Sequence, residues 1–189
     1  TIDAGESWVR LVDSMLPQPL AMEHGYAASG SCITQNSIGD YVIGLGGEVS
    51  RVYIESKNNW NAFKTTLNGG GNSSGIYSIS SGDTALIAVG GDYLKADSTY
   101  HPTISFDGGQ SWTQTLAKVN GYRSVVDYSN TKKLWIAAGI NGLDFSFNNG
   151  KSWTYIKTEE INTLQFDPNG YYAWAAGPSG NLWKIRIKD

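Results

Sequence analysis

The sequence predicts an all-β chain built from about four repeated antiparallel units of four strands each. Three observations carry that prediction: a composition rich in glycine and aromatics, an eight-residue turn that recurs, and a short apolar run ending in glycine that recurs in step with it. Gly makes up 23 of the 189 residues, aromatics reach 12% with seven Trp, and charged residues are only 16%. Such a mix suits short strands joined by tight turns, with aromatics where sheets pack. A chain of this length is expected to form one domain with a sizeable core.

The turn is visible by eye. Thr1-Ile-Asp-Ala-Gly-Glu-Ser-Trp8, Ser105-Phe-Asp-Gly-Gly-Gln-Ser-Trp112 and Ser146-Phe-Asn-Asn-Gly-Lys-Ser-Trp153 share one template, and Ser56-Lys-Asn-Asn-Trp60 is a decayed relative. The residues predicted to build it are Asp3, Gly5 and Trp8, then Asp107, Gly109 and Trp112, then Asn148, Gly150 and Trp153. The third residue can accept hydrogen bonds from turn N–H groups, and the Gly two places on takes a positive φ without steric cost. The Trp then opens the outgoing strand, where burying its indole against a neighbouring sheet is worth a few kcal/mol, at roughly 25 cal/mol per Å².

The apolar runs are Ile43-Gly-Leu-Gly46, Ile87-Ala-Val-Gly90, Ile136-Ala-Ala-Gly139 and Trp174-Ala-Ala-Gly177. Each suits a strand buried on both faces between packed sheets, where small residues allow close approach. From the Gly to the next turn Trp there are 60 − 46 = 14, 112 − 90 = 22 and 153 − 139 = 14 residues, and an inserted loop, Asp92 to Pro102, accounts for the longer spacing. Ahead of each run lies a further apolar segment, around Tyr26 to Ile33, Ile76 to Ile79, Ser124 to Tyr128 and Ile161 to Phe166. Four antiparallel strands at a period of about 40 to 50 residues is the pattern of a β-propeller blade. A β-sandwich is the alternative, but it has no need to repeat a Trp hairpin at fixed phase. The expected blades are 13–66, 67–117, 118–158 and 159–189, the last completed by residues 1–12. The Gly-rich stretch 69–75 falls between blades and is expected as a surface loop.

Formal net charge is −3 and the 14 basic residues are scattered, so nothing tracks a phosphate backbone and nucleic acid is not an expected partner. The single cysteine, Cys32, leaves no internal disulfide and is expected as a small buried hydrophobe. No apolar stretch approaches the roughly 20 residues of a membrane span. His24 and His101 lack a metal-motif spacing, so no metal is expected.

At these residues the sequence resembles the Asp-box, or bacterial neuraminidase repeat, propellers. Within them it is most similar to the branch of photosystem II stability and assembly factor-like proteins and their bacterial relatives. The segments Ala27-Ala-Ser-Gly-Ser-Cys32, Ala88-Val-Gly-Gly-Asp-Tyr93, Gly121-Tyr-Arg-Ser124 and the three turns carry the closer likeness, which spans essentially the whole chain. The resemblance implies a propeller of more than four blades, extracytoplasmic, acting in protein binding and complex assembly. With the Thr1 start, it also implies a section of a longer propeller whose open faces are covered by a missing half or by a second copy in a homodimer.

Catalysis is weighed against structure at each candidate. Asp-box sialidases need an arginine cluster, a Tyr–Glu nucleophile pair and an acid Asp, while most other glycoside hydrolases use paired carboxylates. Only Arg10, Arg51, Arg123 and Arg186 are available, and none sits in the sialidases' N-terminal arginine motif. The turn aspartates Asp3 and Asp107 are structural, since Asn148 does the same work uncharged. A carbohydrate-active role is kept as the alternative, because Asp92, Asp97, Asp127 and Asp144 are available to converge on one face. Gly44-Leu-Gly46 and Gly150-Lys-Ser152 are incomplete nucleotide motifs, so no cofactor is expected and no catalytic residue is assigned. The expected function is a non-catalytic scaffold that binds protein, with glycan as the other candidate ligand. Its binding face is placed on the longest loop and the nearby Gly121 turn, at Asp92, Tyr93, Tyr100, His101, Tyr122 and Arg123, because aromatics and Arg dominate interface hot spots.

Overall fold

The computed structural model describes residues 1–26, 30–57 and 59–188. They form four antiparallel sheets in chain order. The first contains β1 (Ile33–Gln35), β2 (Tyr41–Gly44), β3 (Arg51–Ser56) and β4 (Asn59–Lys64). The second contains β5 (Ser74–Ser81), β6 (Leu86–Asp92), β7 (Thr103–Ser105) and β8 (Thr113–Gln114). The third contains β9 (Val125–Ser129), β10 (Leu134–Gly139), β11 (Gly142–Ser146) and β12 (Thr154–Ile156). The fourth contains only β13 (Thr163–Phe166), β14 (Tyr172–Ala176) and β15 (Leu182–Arg186). Among the described residues helix is confined to single 3₁₀ turns at Asp13–Met15, Tyr93–Lys95 and Pro178–Gly180.

Each sheet is a meander whose strands pair with their sequence neighbours, and the first strands of successive sheets pack beside one another in the order β1, β5, β9, β13. Three cores fill the spaces between sheets. Val42, Val52, Ile54, Ile76, Leu86 and Ala88 lie between the first and second. Ile87, Val89, Ile104, Val126, Trp135 and Ala137 lie between the second and third. Leu134, Ile136, Ala138, Leu164, Phe166, Ala173 and Ala175 lie between the third and fourth. The period-2 alternation of a strand explains the division: β6 sends Leu86 and Ala88 one way and Ile87 and Val89 the other, and β10 divides likewise. The four run-ending glycines share a further constraint. A Cβ on Gly90 would stand 1.9 Å from the Gly75 carbonyl oxygen, one on Gly139 2.1 Å from that of Tyr122, and one on Gly177 2.2 Å from that of Glu160. On Gly46 it would stand 2.8 Å from the Ser74 carbonyl oxygen. Backbone passes backbone there, and only hydrogen fits between.

The three recurring turns fold alike. Residues four and five of each take positive φ: Ala4 and Gly5 at 57° and 97°, Gly108 and Gly109 at 75° and 101°, Asn149 and Gly150 at 53° and 73°. The leading hydroxyl of Thr1, Ser105 or Ser146 accepts the N–H of Gly5, Gly109 or Gly150 at 2.9, 2.8 and 2.9 Å. The side-chain oxygen of Asp3, Asp107 or Asn148 accepts the N–H of the following Ser7, Ser111 or Ser152 at 3.0, 2.9 and 2.9 Å. Asn148 also donates its amide to the Ser152 hydroxyl, where Asp107 instead receives the Ser111 hydroxyl. The indoles of Trp8 and Trp112 donate to the carbonyls of Gly5 and Gly109, whereas the Trp153 N–H is buried without a partner.

Several expectations need correction. The first strand of the first sheet starts at Ile33 rather than near Tyr26, with residues 27–29 outside the described residues, as is Asn58 of the decayed turn. The run at Trp174 is not buried on both faces: Ala173 and Ala175 are buried, but Trp174, on the other face of β14, is 53% exposed. Residues 1–12 form no strand, so the fourth sheet lacks the expected completion, and Trp8 is 79% exposed where Trp112 is 7%. Cys32 is half-buried, and burial pushes its thiol up. No helix among the described residues is long and apolar enough to cross a membrane.

Candidate functional site

The inserted loop after β6 builds a groove of about 430 Å³ where the first and second sheets meet. Asp92, Lys95, Tyr100, His101, Gln114 and Lys118 line it, together with the Gly69–Gly70 stretch of the loop between β4 and β5. Gly91, at φ 96°, lies at the end of β6 opposite Gly75, and Asp92 caps the 3₁₀ turn that follows by accepting the Leu94 N–H at 3.0 Å. The Ser73 hydroxyl, more than the Lys95 ammonium 3.8 Å away, holds the Asp92 carboxyl below the ordinary carboxylate range. His101 Nδ1 lies 2.8 Å from the Thr115 carbonyl oxygen, which accepts from it. The Tyr100 hydroxyl accepts the Gly90 N–H at 2.8 Å, so it is fixed to β6.

Beside the groove the 3₁₀ turn presents Tyr93, 46% exposed, and Leu94, 73% exposed. Tyr93 stands edge-on to Tyr77 and Tyr122, at 6.3 and 6.5 Å between ring centroids. Tyr77 in turn is stacked on Tyr26 at 3.7 Å. The exposed ring therefore rests on a buried aromatic platform rather than swinging on a mobile loop.

Of the six residues expected to form a binding face, Asp92, Tyr100 and His101 come together in the groove and Tyr93 borders it. Tyr122 and Arg123 do not present themselves to a partner. Tyr122 is buried under Tyr93, and Arg123 is wholly inaccessible. The Arg123 guanidinium donates to Asp144 Oδ2 through both Nε, at 2.7 Å, and Nη2, and to the Asn141 side chain and the Asn120 carbonyl at 2.7 and 2.9 Å. Burial pushes the Asp144 carboxyl up, and the guanidinium beside it and the Asn120 N–H pull it back. Its Nη1 also donates to the Tyr122 carbonyl at 3.0 Å, so a fork of five donors is matched to a carboxylate and three carbonyl-type oxygens, which satisfies an otherwise costly buried cation. The Arg123 N–H, bonded to the Gly90 carbonyl at 2.9 Å, also stitches the third sheet to the second.

The four aspartates considered for catalysis do not converge. Asp144 is consumed by Arg123, and Asp97 accepts from Asn141 at 3.2 Å. Asp127 faces a second cavity, of about 380 Å³, lined by all four first strands. Its oxygens accept from the Ser80 hydroxyl, the Tyr128 N–H and the Phe166 N–H, which ties β9 to both β5 and β13. Burial raises its pKa, and those three donors oppose the rise. Asp92 is thus the one carboxylate among the described lining residues of the groove, accompanied by two lysines and an imidazole. Such a set can hold a polar or mixed-charge ligand but offers no second carboxylate for an acid–base pair. Among the described residues no group of three His, Cys, Asp or Glu could hold a metal ion.

Sequence reasoning missed Tyr26, Tyr77, Lys95 and Lys118. Tyr77 reads as one more apolar residue of a buried strand, and the lysines belong to loops separated in sequence; their convergence is set by how the sheets stack. It also missed a pairing on the outer face of the first sheet, where buried Glu23 accepts from Arg51 at 2.6 Å and from the Tyr53 hydroxyl. Burial and the Glu23 charge push Tyr53 up to about 12. No protein-family model matches the chain, and no curated protein matches it.

Proposed function

We propose that this chain is a section of an Asp-box β-propeller, acting as a non-catalytic scaffold that binds a protein partner through the face bearing Tyr93 and Leu94. Support for the propeller reading comes from four consecutive meander sheets whose first strands adjoin around a common cavity, with the same turn at the same phase. The observation that carries the binding role is Tyr93 held half-exposed on the Tyr77–Tyr122 platform with Leu94 projecting beside it. A pre-positioned aromatic next to an apolar side chain, rimmed by Asp92 and Lys95, has the make-up of an interface anchor, because little conformational entropy is lost on binding.

A pull-down from the source cell, comparing the wild type with Tyr93→Ala/Leu94→Ser, tests this: a partner captured by the first and lost by the second is expected. Hydrolysis of any member of a chromogenic glycoside panel, abolished by Asp92→Asn, would overturn it. The groove itself favours one second reading, a carbohydrate-binding module, since its lining is rich in hydroxyl, amide and imidazole groups. Glycan-array binding that is lost in His101→Ala but kept in Tyr93→Ala would select that reading over the first.

A further inference from the structure

Five Asn-Gly pairs occur in the chain, at Asn68, Asn120, Asn141, Asn149 and Asn169. In such a pair the glycine nitrogen has no neighbouring Cβ to shield it, so it can reach the asparagine side chain and close a ring on it. Whether it does so depends on what holds the side-chain amide, the peptide groups and the glycine N–H. Four of the five pairs are held. The Asn149 side-chain oxygen accepts the Trp135 indole N–H at 2.9 Å, and the Gly150 N–H is given to the Ser146 hydroxyl at 2.9 Å. Asn141 accepts from Arg123 at 2.7 Å and donates to Asp97 at 3.2 Å. After Asn169, the Gly170 N–H donates to the Asp167 carbonyl at 2.8 Å, and Gly170 is buried. Asn120 is pinned through its own backbone, its N–H donating to Asp144 at 3.2 Å and its carbonyl accepting from Arg123 at 2.9 Å, with Gly121 buried beside it.

The pair Asn68-Gly69 is held by none of these means. Asn68 is exposed in the loop between β4 and β5, and among the described residues neither its side-chain amide nor the Gly69 N–H has a hydrogen-bond partner. The chain is fixed just before and just after. Leu67 is buried in the core between the first and second sheets, and the N–H groups of Gly70 and Gly71 both point to the Gly47 carbonyl, at 3.1 and 3.4 Å. The glycine itself is obligatory. A Cβ on Gly69 would stand 2.3 Å from the Glu48 carbonyl oxygen, so the fold demands at this position the residue that leaves its nitrogen least shielded.

We propose that Asn68 is a site of spontaneous covalent modification, where the folded chain converts this asparagine to aspartate and isoaspartate ahead of the other four pairs. The Gly69 nitrogen, losing its proton to solvent base, attacks Asn68 Cγ. The new N–C bond closes a succinimide ring, and the side-chain nitrogen takes up a proton and leaves as ammonia. Water then adds to one ring carbonyl and reopens the ring, giving aspartate where the new bond breaks and isoaspartate where the original peptide bond breaks. Ring closure engages only atoms of residue 68 and the Gly69 nitrogen, between anchors on either side. The product alters the groove, because Asn68 lines it together with Lys95, Lys118 and the carboxylate of Asp92. Conversion supplies a second carboxylate, so the lysines no longer outnumber the acidic groups of the lining. This holds whether the groove takes protein or glycan.

Incubating the full chain in mildly alkaline buffer and mapping its tryptic peptides by mass spectrometry at intervals reads all five sites at once. The peptide spanning 65–95 should gain one mass unit at Asn68 about tenfold or more faster than any other Asn-Gly pair, since the others must first open locally. Isoaspartyl methyl transfer should mark the same peptide, and isoelectric focusing should show the folded chain gaining one negative charge in step. In concentrated urea, where the anchors and hydrogen bonds are gone, the five pairs should convert alike. Asn68→Ser should abolish the fast phase and leave the circular dichroism unchanged. A different pair converting first, all five converting together in the folded chain, or the same ranking persisting in urea would overturn the proposal.

Discussion

A carboxylate in the recurring turn is a structural acceptor, and its titration is where that role is measurable. Burial raises the Asp107 carboxyl, but the Ser111 hydroxyl and N–H, the Ser105 hydroxyl and the Gln110 N–H outweigh it and hold it at about 2, against an ordinary 3.8. A depressed folded-state value means the stabilisation is complete above about pH 4 and lost as pH falls towards 2. Asp107→Asn should therefore fold and show a shallower loss of stability over that window, followed by urea melts at stepped pH; an unchanged acid profile would contradict the role. Asn148, which makes the same acceptor bond without a charge, is the internal precedent. The Arg123–Asp144 pair is the opposite case. Arg123→Ala strands a buried carboxylate and should cost about 3 to 5 kcal/mol, whereas an apolar replacement of both partners should cost much less. A double-mutant cycle measured by chemical denaturation separates the two.

Elements here are defined by what passes between them. A methyl on Gly139 would overlap the Tyr122 carbonyl, and one on Gly90 the Gly75 carbonyl, at distances no side chain rotation relieves. Gly139→Ala should thus lower the melting temperature sharply, while Gly39→Ser, where a Cβ meets nothing within 4 Å but φ is 90°, should cost only the smaller backbone strain. The turn tryptophans give a matched series. Trp112→Ala should cost about 3 to 5 kcal/mol, because the indole is 7% exposed within a core, and Trp8→Ala close to nothing, because its indole is 79% exposed. Equal effects of the two substitutions on chemical denaturation would refute the packing difference.

For the whole molecule, stability is distributed along the stack, since each sheet packs chiefly against its sequence neighbours. The second and third sheets are covered on both sides; the fourth is covered on one and exposes Trp174 and Leu182. Nearest-neighbour stacking of this kind predicts sub-global opening from the uncovered end. Native-state hydrogen exchange should find the amides of β15 least protected among the strands and those of β6 and β10 most. Uniform protection across all four sheets would show that the molecule opens as one unit.

Sequence alone determined the local rules: where each turn lies, which run is a strand, and that glycine must end it, because these depend on residues within a single repeat. The fifth-position glycines take the positive φ that their turns require, and the alternation of Leu86, Ile87, Ala88 and Val89 already encodes a strand with two buried faces. The candidate site was legible only in part. Asp92, Tyr93, Tyr100 and His101 stood out as a long, chemically varied loop, but Arg123 looked like an interface residue until its burial against Asp144 was seen. Tyr26, Tyr77 and Lys118 gave no local signal, since what brings them to Tyr93 and Asp92 is the stacking of one sheet on the next. Nor could the repeat distinguish Trp8 from Trp112: the same eight residues fold the same turn, and whether the indole is buried depends on whether a neighbouring sheet is there to receive it, which only the tertiary structure decides.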